Sequence, residues 1–174
     1  MQAMFFQKSA QRQFEQVVRA WSAELYRFAY WLSRDRYLAD ELVQETFARA
    51  WKAWDQLKDP GNPKPWLISI LRNEHARLYE RKQFDYVEDS PETLEIASDF
   101  DHVEMFELEN LIGGLPLSLR EAFLLQALGG YSCAEIAAEL QTSEGAVMVR
   151  LTRARKALQD ALQGPATGRN RKLP

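Results

Sequence analysis

YSCAEIAAELQTSEGAVMVRLTRARKAL, residues 131–158, is spaced as two helices joined by a tight polar turn. In the first, Ile136, Ala137 and Leu140 recur at three- and four-residue intervals and make one apolar face. Ala137 and Ala138 are small enough to let a second helix cross closely. Gln141-Thr142-Ser143 breaks the pattern, and Ser143 suits the N-cap of a new helix beginning at Glu144. That helix places Val147, Leu151, Ala154 and Leu158 on one side and Arg150, Arg153, Arg155 and Lys156 largely on the others. Short helix, turn and basic helix form the pattern of a helix-turn-helix that lays its second helix in the DNA major groove. Amphipathic helix pairs with surface arginines also occur in proteins that bind no DNA, so this stretch alone leaves both readings open.

The N-terminal half carries a second informative helix, ADELVQETFARAWKAW, over residues 39–54. Val43, Phe47, Ala50 and Trp54 follow helical spacing and are expected to be buried. Asp40, Glu41, Gln44 and Glu45 fall to the other side; taken alone, they make a solvated face with acids near a helix N-terminus. Asp59-Pro60-Gly61-Asn62-Pro63-Lys64-Pro65 then predicts an ordered turn, because prolines at positions 60, 63 and 65 forbid a helix through it. Pro65 suits the first turn of the helix that follows, PWLISILRNEHARLYERK. There Leu67, Leu71 and Leu78 point to a core, while Asn73, Arg77 and Arg81 form a polar row. Trp66 reads as a core aromatic, as do Trp21, Tyr26, Tyr30 and Trp31.

Charge is divided unevenly along the 174 residues. The overall balance is −3, yet residues 1–83 carry +4, residues 84–112 carry −10, and residues 113–174 carry +3. The acidity is thus confined between two basic units. The segment FDYVEDSPETLEIASDFDHVEMFELEN reads as an extended acidic linker whose last third, from Val103, regains helical spacing. The single cysteine, Cys133, has no internal disulfide partner and reads as a small buried residue at a helix start in a reducing compartment. His75 and His102 have no companion ligands at metal-binding spacing, and a histidine on a polar helix is expected at the surface. Gly113-Gly114 and Gly129-Gly130 are expected in turns between helices rather than in a phosphate loop. No run reaches transmembrane length, and neither a membrane span nor a signal stretch is expected. An enzyme, a cofactor, a metal and a small-molecule substrate are therefore not expected.

The wording of both halves resembles one family. Leu115-Pro116, Arg120, Tyr131-Ser132, Glu135-Ile136-Ala137, Leu140, Ser143-Glu144-Gly145, Val147, Arg150-Leu151 and Arg153-Ala154-Arg155 are similar to the C-terminal promoter-reading domain of an extracytoplasmic-function sigma factor. DELVQETF followed by RAW resembles the helix with which sigma factors grip the clamp of core RNA polymerase. The resemblance implies polymerase contact at Asp40, Gln44 and Glu45, with Glu41 beside them. Loop and helix, with PWL…ILRN…AR…ERK, resemble the part that melts the −10 element, where a base flips into a loop pocket. This implies a pocket from Lys58 to Lys64, including Asn62, and helix contacts from Asn73, Arg77 and Arg81. For the −35 element it implies Ser143, Glu144, Met148, Val149, Arg150, Thr152 and Arg153. One departure stands out. Where the family commonly has Gly-Thr-Val followed by a basic and a small polar residue, this chain reads Gly145-Ala146-Val147-Met148-Val149-Arg150. Apolar Met148 and Val149 suit thymine methyls better than guanine.

The resemblance covers about residues 14–81 and 108–162 and omits the middle region of larger sigma factors. It implies an all-α chain of two small helical domains: a region 2-like bundle (1–83) and a region 4-like helix-turn-helix domain (105–163). Between them lies the acidic linker (84–104), and a flexible tail (164–174) follows. The implied partners are core RNA polymerase (the β′ clamp and the β flap), promoter DNA and an anti-sigma factor. The implied place is the cytoplasm, or its membrane face where the anti-sigma factor is membrane-bound. Two other readings stay open: a one-component helix-turn-helix regulator, and a polymerase-binding protein that has lost promoter reading.

Overall fold

The structure, a computed structural model, describes residues 2–85 and 103–163. Among them every regular element is helical. In order these are α1 (Gln2–Ser33), α2 (Arg36–Lys52), a 3₁₀ turn (Trp54–Gln56), α3 (Lys64–Asp85), α4 (Val103–Gly114), α5 (Leu117–Ala127), α6 (Cys133–Glu139) and α7 (Glu144–Gln163). The chain divides into two compact units, residues 1–100 and 101–174. The span read as a linker lies largely outside the described residues, as does the tail, and α4 begins two residues before the boundary expected at 105.

In the first unit α1 packs on α2 and both pack on α3. The α1–α2 connection is two residues long. Arg34 turns left-handed at φ 60° and donates its N–H to the Tyr30 carbonyl at 2.7 Å. Asp35 then caps α2, its Oδ1 accepting from the Leu38 N–H at 3.0 Å. So short a link makes the two helices neighbours in an αα-hairpin.

The core joins Leu25, Phe28, Ala29 and Leu32 to Ala39, Leu42 and Ala50 of α2 and to Leu67, Ile68 and Leu71 of α3. This corrects the expected stripe on α2. Its buried residues are Ala39, Leu42, Thr46 and Ala50, whereas Val43 and Phe47 are half-buried and Trp54 lies beyond the helix end. Small residues win this face because α2 meets both neighbouring helices. Thr46 fits because its hydroxyl donates to the Leu42 carbonyl at 2.6 Å. The larger rings instead gather round Phe14 of α1, with Phe47, Trp51 and Trp54 at centroid distances of 6.2, 5.1 and 5.2 Å. Trp54 also meets Trp66 at 6.3 Å.

Trp21, Tyr26, Tyr30, Trp31 and Trp66 are half-buried rather than fully enclosed, as is Leu78. His75, expected at the surface, is 7% exposed and stacks on Tyr79 at 6.3 Å. It lies beside Leu71 and Glu74 on the inner side of α3, where packing and not the polarity of the helix decides its place.

In the second unit α7 is the common partner of α4, α5 and α6. Ile112, Leu115, Ala122, Leu124, Leu125, Ile136, Val147, Leu151 and Ala154 form its core. Gly113-Gly114 closes α4 instead of lying between helices, and Gly113 is buried. Gly129-Gly130 does form a turn. Gly129 donates to the Leu124 carbonyl at 3.1 Å, and Gly130 adopts φ +73°. A Cβ at position 129 would stand 2.4 Å from the Leu125 carbonyl oxygen and 2.7 Å from the Tyr131 ring. Gly129→Ala is therefore expected to destabilise this unit by about 2 kcal/mol, the usual scale of overpacking. Thermal unfolding of the variant beside the parent checks this; an unchanged midpoint would mean the turn shifts freely.

Candidate polymerase and promoter contacts

The helix-turn-helix is assembled from local hydrogen bonds. Ser132 and Glu135 form a capping box: Glu135 Oε2 accepts from the Ser132 N–H and hydroxyl, each at 2.8 Å, while Ser132 Oγ accepts from the Glu135 N–H at 3.3 Å. These bonds from Ser132 hold the Glu135 carboxyl below its usual pKa range. After α6 the chain reverses at Gln141, at φ 49°, and the Thr142 N–H reaches the Ala137 carbonyl at 2.9 Å. Ser143 then caps α7, its Oγ accepting from the Ala146 N–H at 3.2 Å.

On α7 the buried residues are Val147, Leu151, Ala154 and Leu158, as the spacing predicts. Met148 is 59% and Val149 49% exposed. Ser143, Glu144, Thr152 and Arg153 are also exposed, whereas Arg150 is half-buried. At 3.6 residues per turn Met148, Val149 and Thr152 share one outward face near the start of the helix. Arg155 is tied to α5 through a hydrogen bond from its Nη2 to Gln126 Oε1. Cys133, expected buried, is half-buried at the first position of α6.

On α2, Asp40, Glu41 and Gln44 are exposed. Glu45 is half-buried and pairs with Arg49 at 2.9 Å, so it belongs to the flank of that face rather than its centre. Tyr37, 78% exposed, was missed by the sequence reading. It lies three and seven residues before Asp40 and Gln44, a helical spacing that was available as a signal.

The loop after α2 is ordered by Asp59, whose Oδ1 accepts from the Gly61 N–H at 3.0 Å while its carbonyl accepts from the Asn62 N–H at 3.1 Å. Pro63 is buried, and its carbonyl accepts from the Leu67 N–H at 3.0 Å to begin α3. Lys58 and Asn62 are exposed. Lys64 is not held out like them: its Nζ pairs with Glu24 of α1 at 2.8 Å and lies 5.6 Å from the centre of the Trp21 ring. Along α3, Asn73 and Arg77 are exposed and line a groove of about 560 Å³ with Gln56, Trp66 and Glu74. Arg81 continues the helix, and its side chain lies outside the described residues.

Among the described residues no His, Cys, Asp or Glu group is arranged to hold a metal, and no helix is long and apolar enough to cross a membrane. Exposed polar and apolar side chains on three helices can bind surfaces, and comparison with known proteins says which. Residues 17–84 match the Sigma-70 region 2 family, and residues 105–158 match Sigma-70 region 4. The chain is 34% identical to the ECF RNA polymerase sigma factor EcfG of Rhodopseudomonas palustris, over 79% of this chain and 78% of that protein. It is 33% identical to SigC of Mycobacterium tuberculosis, over 90% and 88%.

This chain belongs to the extracytoplasmic-function family of RNA polymerase sigma factors.

It is a transcription initiation factor of that family. Against SigE of Mycolicibacterium smegmatis, 29% identical, it spans 63% of the relative's length. Solved structures of the family are similar in fold. The sigma factor RpoE of Bartonella quintana, in complex with the anti-sigma factor NepR, superposes with a TM-score of 0.73 at 29% identity, covering 86% of this chain and 96% of that one. CnrH, in complex with the cytosolic domain of CnrY, gives 0.63 at 29% identity, covering 88% and 89%.

Proposed function

We propose that this sigma factor binds the clamp of the polymerase β′ subunit through the exposed face of α2, at Asp40, Glu41 and Gln44 with Glu45 at its edge. In this reading the exposed loop residues Lys58 and Asn62, with Asn73, Arg77 and Arg81 of α3, engage and open the −10 element. Lys64 anchors that loop on α1, which its pairing with Glu24 supports. The second unit docks on the β flap and reads the −35 element with Met148, Val149 and Thr152. Glu144 and Arg153 flank that face, and Ser143 and Arg150 contact DNA from farther round the helix. The domains include α3 through Asp85 and α4 from Val103, and the residues between link them so that binding by one module raises the effective concentration of the other.

The observation that carries this reading is the coexistence of two exposed surfaces with two family matches: the acidic, amide-bearing face of α2 within 17–84, and the outward face of α7 within 105–158. A one-component regulator has no use for the first. The complexes of RpoE with NepR and of CnrH with CnrY support control by an anti-sigma factor, in the cytoplasm or at the membrane that holds such a partner.

In vitro transcription with purified core polymerase on genomic fragments tests the whole: new start sites are expected only when the chain is added. For the −10 contacts, Asn73→Ala and Arg77→Ala are each expected to leave binding to a −35 duplex nearly intact. Each should lower strand opening about tenfold, as for one lost hydrogen bond to a charged partner at roughly 1.5 kcal/mol. Permanganate reactivity of unpaired thymines measures the opening. Parental reactivity in both variants would move the −10 role elsewhere.

A further inference from the structure

Glu74 is 6% exposed, yet two arginines meet on it. Its Oε1 lies 2.6 Å from Arg49 Nε of α2 and accepts a hydrogen bond from Arg77 Nη1 at 3.3 Å. Arg49 pairs in turn with Glu45 at 2.9 Å. The row Glu45–Arg49–Glu74–Arg77 therefore alternates in sign from the flank of the polymerase face of α2 to the DNA face of α3. Glu74 and Arg77 also line one groove with Trp66 and Asn73.

A carboxylate taken out of water is costly unless it is paired, so its position is fixed by the cations that compensate it. Here the compensating charge comes from another helix, through Arg49, whose Nε is at ion-pair distance without the alignment of a hydrogen bond. Arg77 gains from it. Its guanidinium offers five donors in a rigid fork, and its side chain is 57% exposed, so a bond to Glu74 leaves other donors facing outward. An arginine already held in one orientation loses less freedom when it meets a ligand, and it discriminates better because its fork cannot swing to suit a wrong one. An exposed arginine without such a holder would find any nearby phosphate equally well.

We propose that Glu74 is a positioning residue for −10 recognition: held by Arg49, it fixes the orientation of Arg77, and so sets discrimination between −10 sequences without touching DNA itself. This rests on Arg77 being a −10 contact, as proposed above.

The test compares holoenzyme opening of a parental promoter with opening of one whose −10 element is scrambled. Arg77→Ala should lower the ratio about tenfold, and Glu74→Gln should lower it about as much. The double variant should fall no lower than either alone, since both remove one interaction. Core polymerase affinity and low-salt binding to promoter-free duplex should stay within about twofold of the parent for Glu74→Gln, which a residue needed only for folding would not allow. If circular dichroism shows Glu74→Gln to be unfolded, Arg49→Leu with Glu74→Leu takes its place with the same expected ratio. That pair leaves no buried charge uncompensated.

A parental ratio in the Glu74 variant beside a lowered one in Arg77→Ala overturns the positioning role alone. So do losses that multiply in the double variant, or specific and non-specific binding that fall together. A parental ratio in Arg77→Ala overturns the −10 reading and the inference with it.

Discussion

Replacing Asp40 by Lys and Gln44 by Ala together is expected to weaken binding to core polymerase about thirtyfold or more, with helical content unchanged. Both side chains are exposed, on the side of α2 opposite its buried Ala39, Leu42, Thr46 and Ala50. Neither takes part in the cap at Asp35 or the pairing of Glu45 with Arg49. Folding therefore loses little, about 0.3–1 kcal/mol if the helix dipole counts a cation this near its N-terminus as unfavourable. Binding loses far more. A reversed charge in an interface both forfeits an attraction and leaves its partner opposed, at roughly 2–5 kcal/mol, and the lost amide adds to this. Tyr37→Ala on the same strip should add to the loss, because large exposed aromatics concentrate binding energy. Titration of labelled variant against core enzyme measures the affinity, with circular dichroism as the control for folding. Parental affinity in a folded double variant would remove α2 from the polymerase interface.

The second unit was largely legible in its sequence because its determinants are local. The cap at Ser143 and the intervals between Val147, Leu151, Ala154 and Leu158 each act within a turn or two of helix, and the structure has them as the spacing predicts; the capping box of Ser132 and Glu135 is as local but was not read. The first unit was less so, for two physical reasons. A helix packed against two neighbours selects for small volume as well as apolarity, so Ala39 and Thr46 took the buried places on α2 and left Phe47 half-buried. Hydrophobic periodicity weighs large side chains and misses this.

The other reason is that charge pairs join residues far apart in the chain. Nothing near Lys64 announces Glu24, and nothing near Glu74 announces Arg49; the pairs exist only once α1, α2 and α3 have packed. Lys64 consequently read as an unpaired cation of the loop, with no sign of its pairing on α1. His75 shows the same limit, since the polarity of its helix gives no sign of which side its neighbours will cover. Sequence alone did foresee the exposure of Asp40, Gln44, Asn73 and Met148, each set off the apolar spacing of its own helix.

Met148→Arg is expected to change which −35 sequence this sigma factor prefers, whereas Arg153→Ala is expected to weaken all sequences about equally. The distinction follows from where α7 turns its side chains. Met148, Val149 and Thr152 form one exposed face in the first half of the helix, the part of a recognition helix that reaches base edges. Two of the three are apolar, which matches the methyl of thymine and offers nothing to guanine. An arginine at 148 would supply two donors to O6 and N7 of guanine, a change worth roughly 1–3 kcal/mol, or about 5- to 150-fold in relative preference. Arg153 is exposed at the edge of this face, about 40° beyond Val149 and about 140° round from Met148, on the side proposed to meet phosphates. Its loss should remove about one unit from the slope of log affinity against log salt while leaving sequence preference intact. Arg155 makes a poorer probe of the same point, because its hydrogen bond to Gln126 couples DNA contact to the packing of α5. Selection from randomised −35 duplexes with each variant, at two salt concentrations, separates the two effects. An unchanged selected sequence with Met148→Arg, beside an altered one with Arg153→Ala, would mean that α7 lies in the groove turned by about the angle between them.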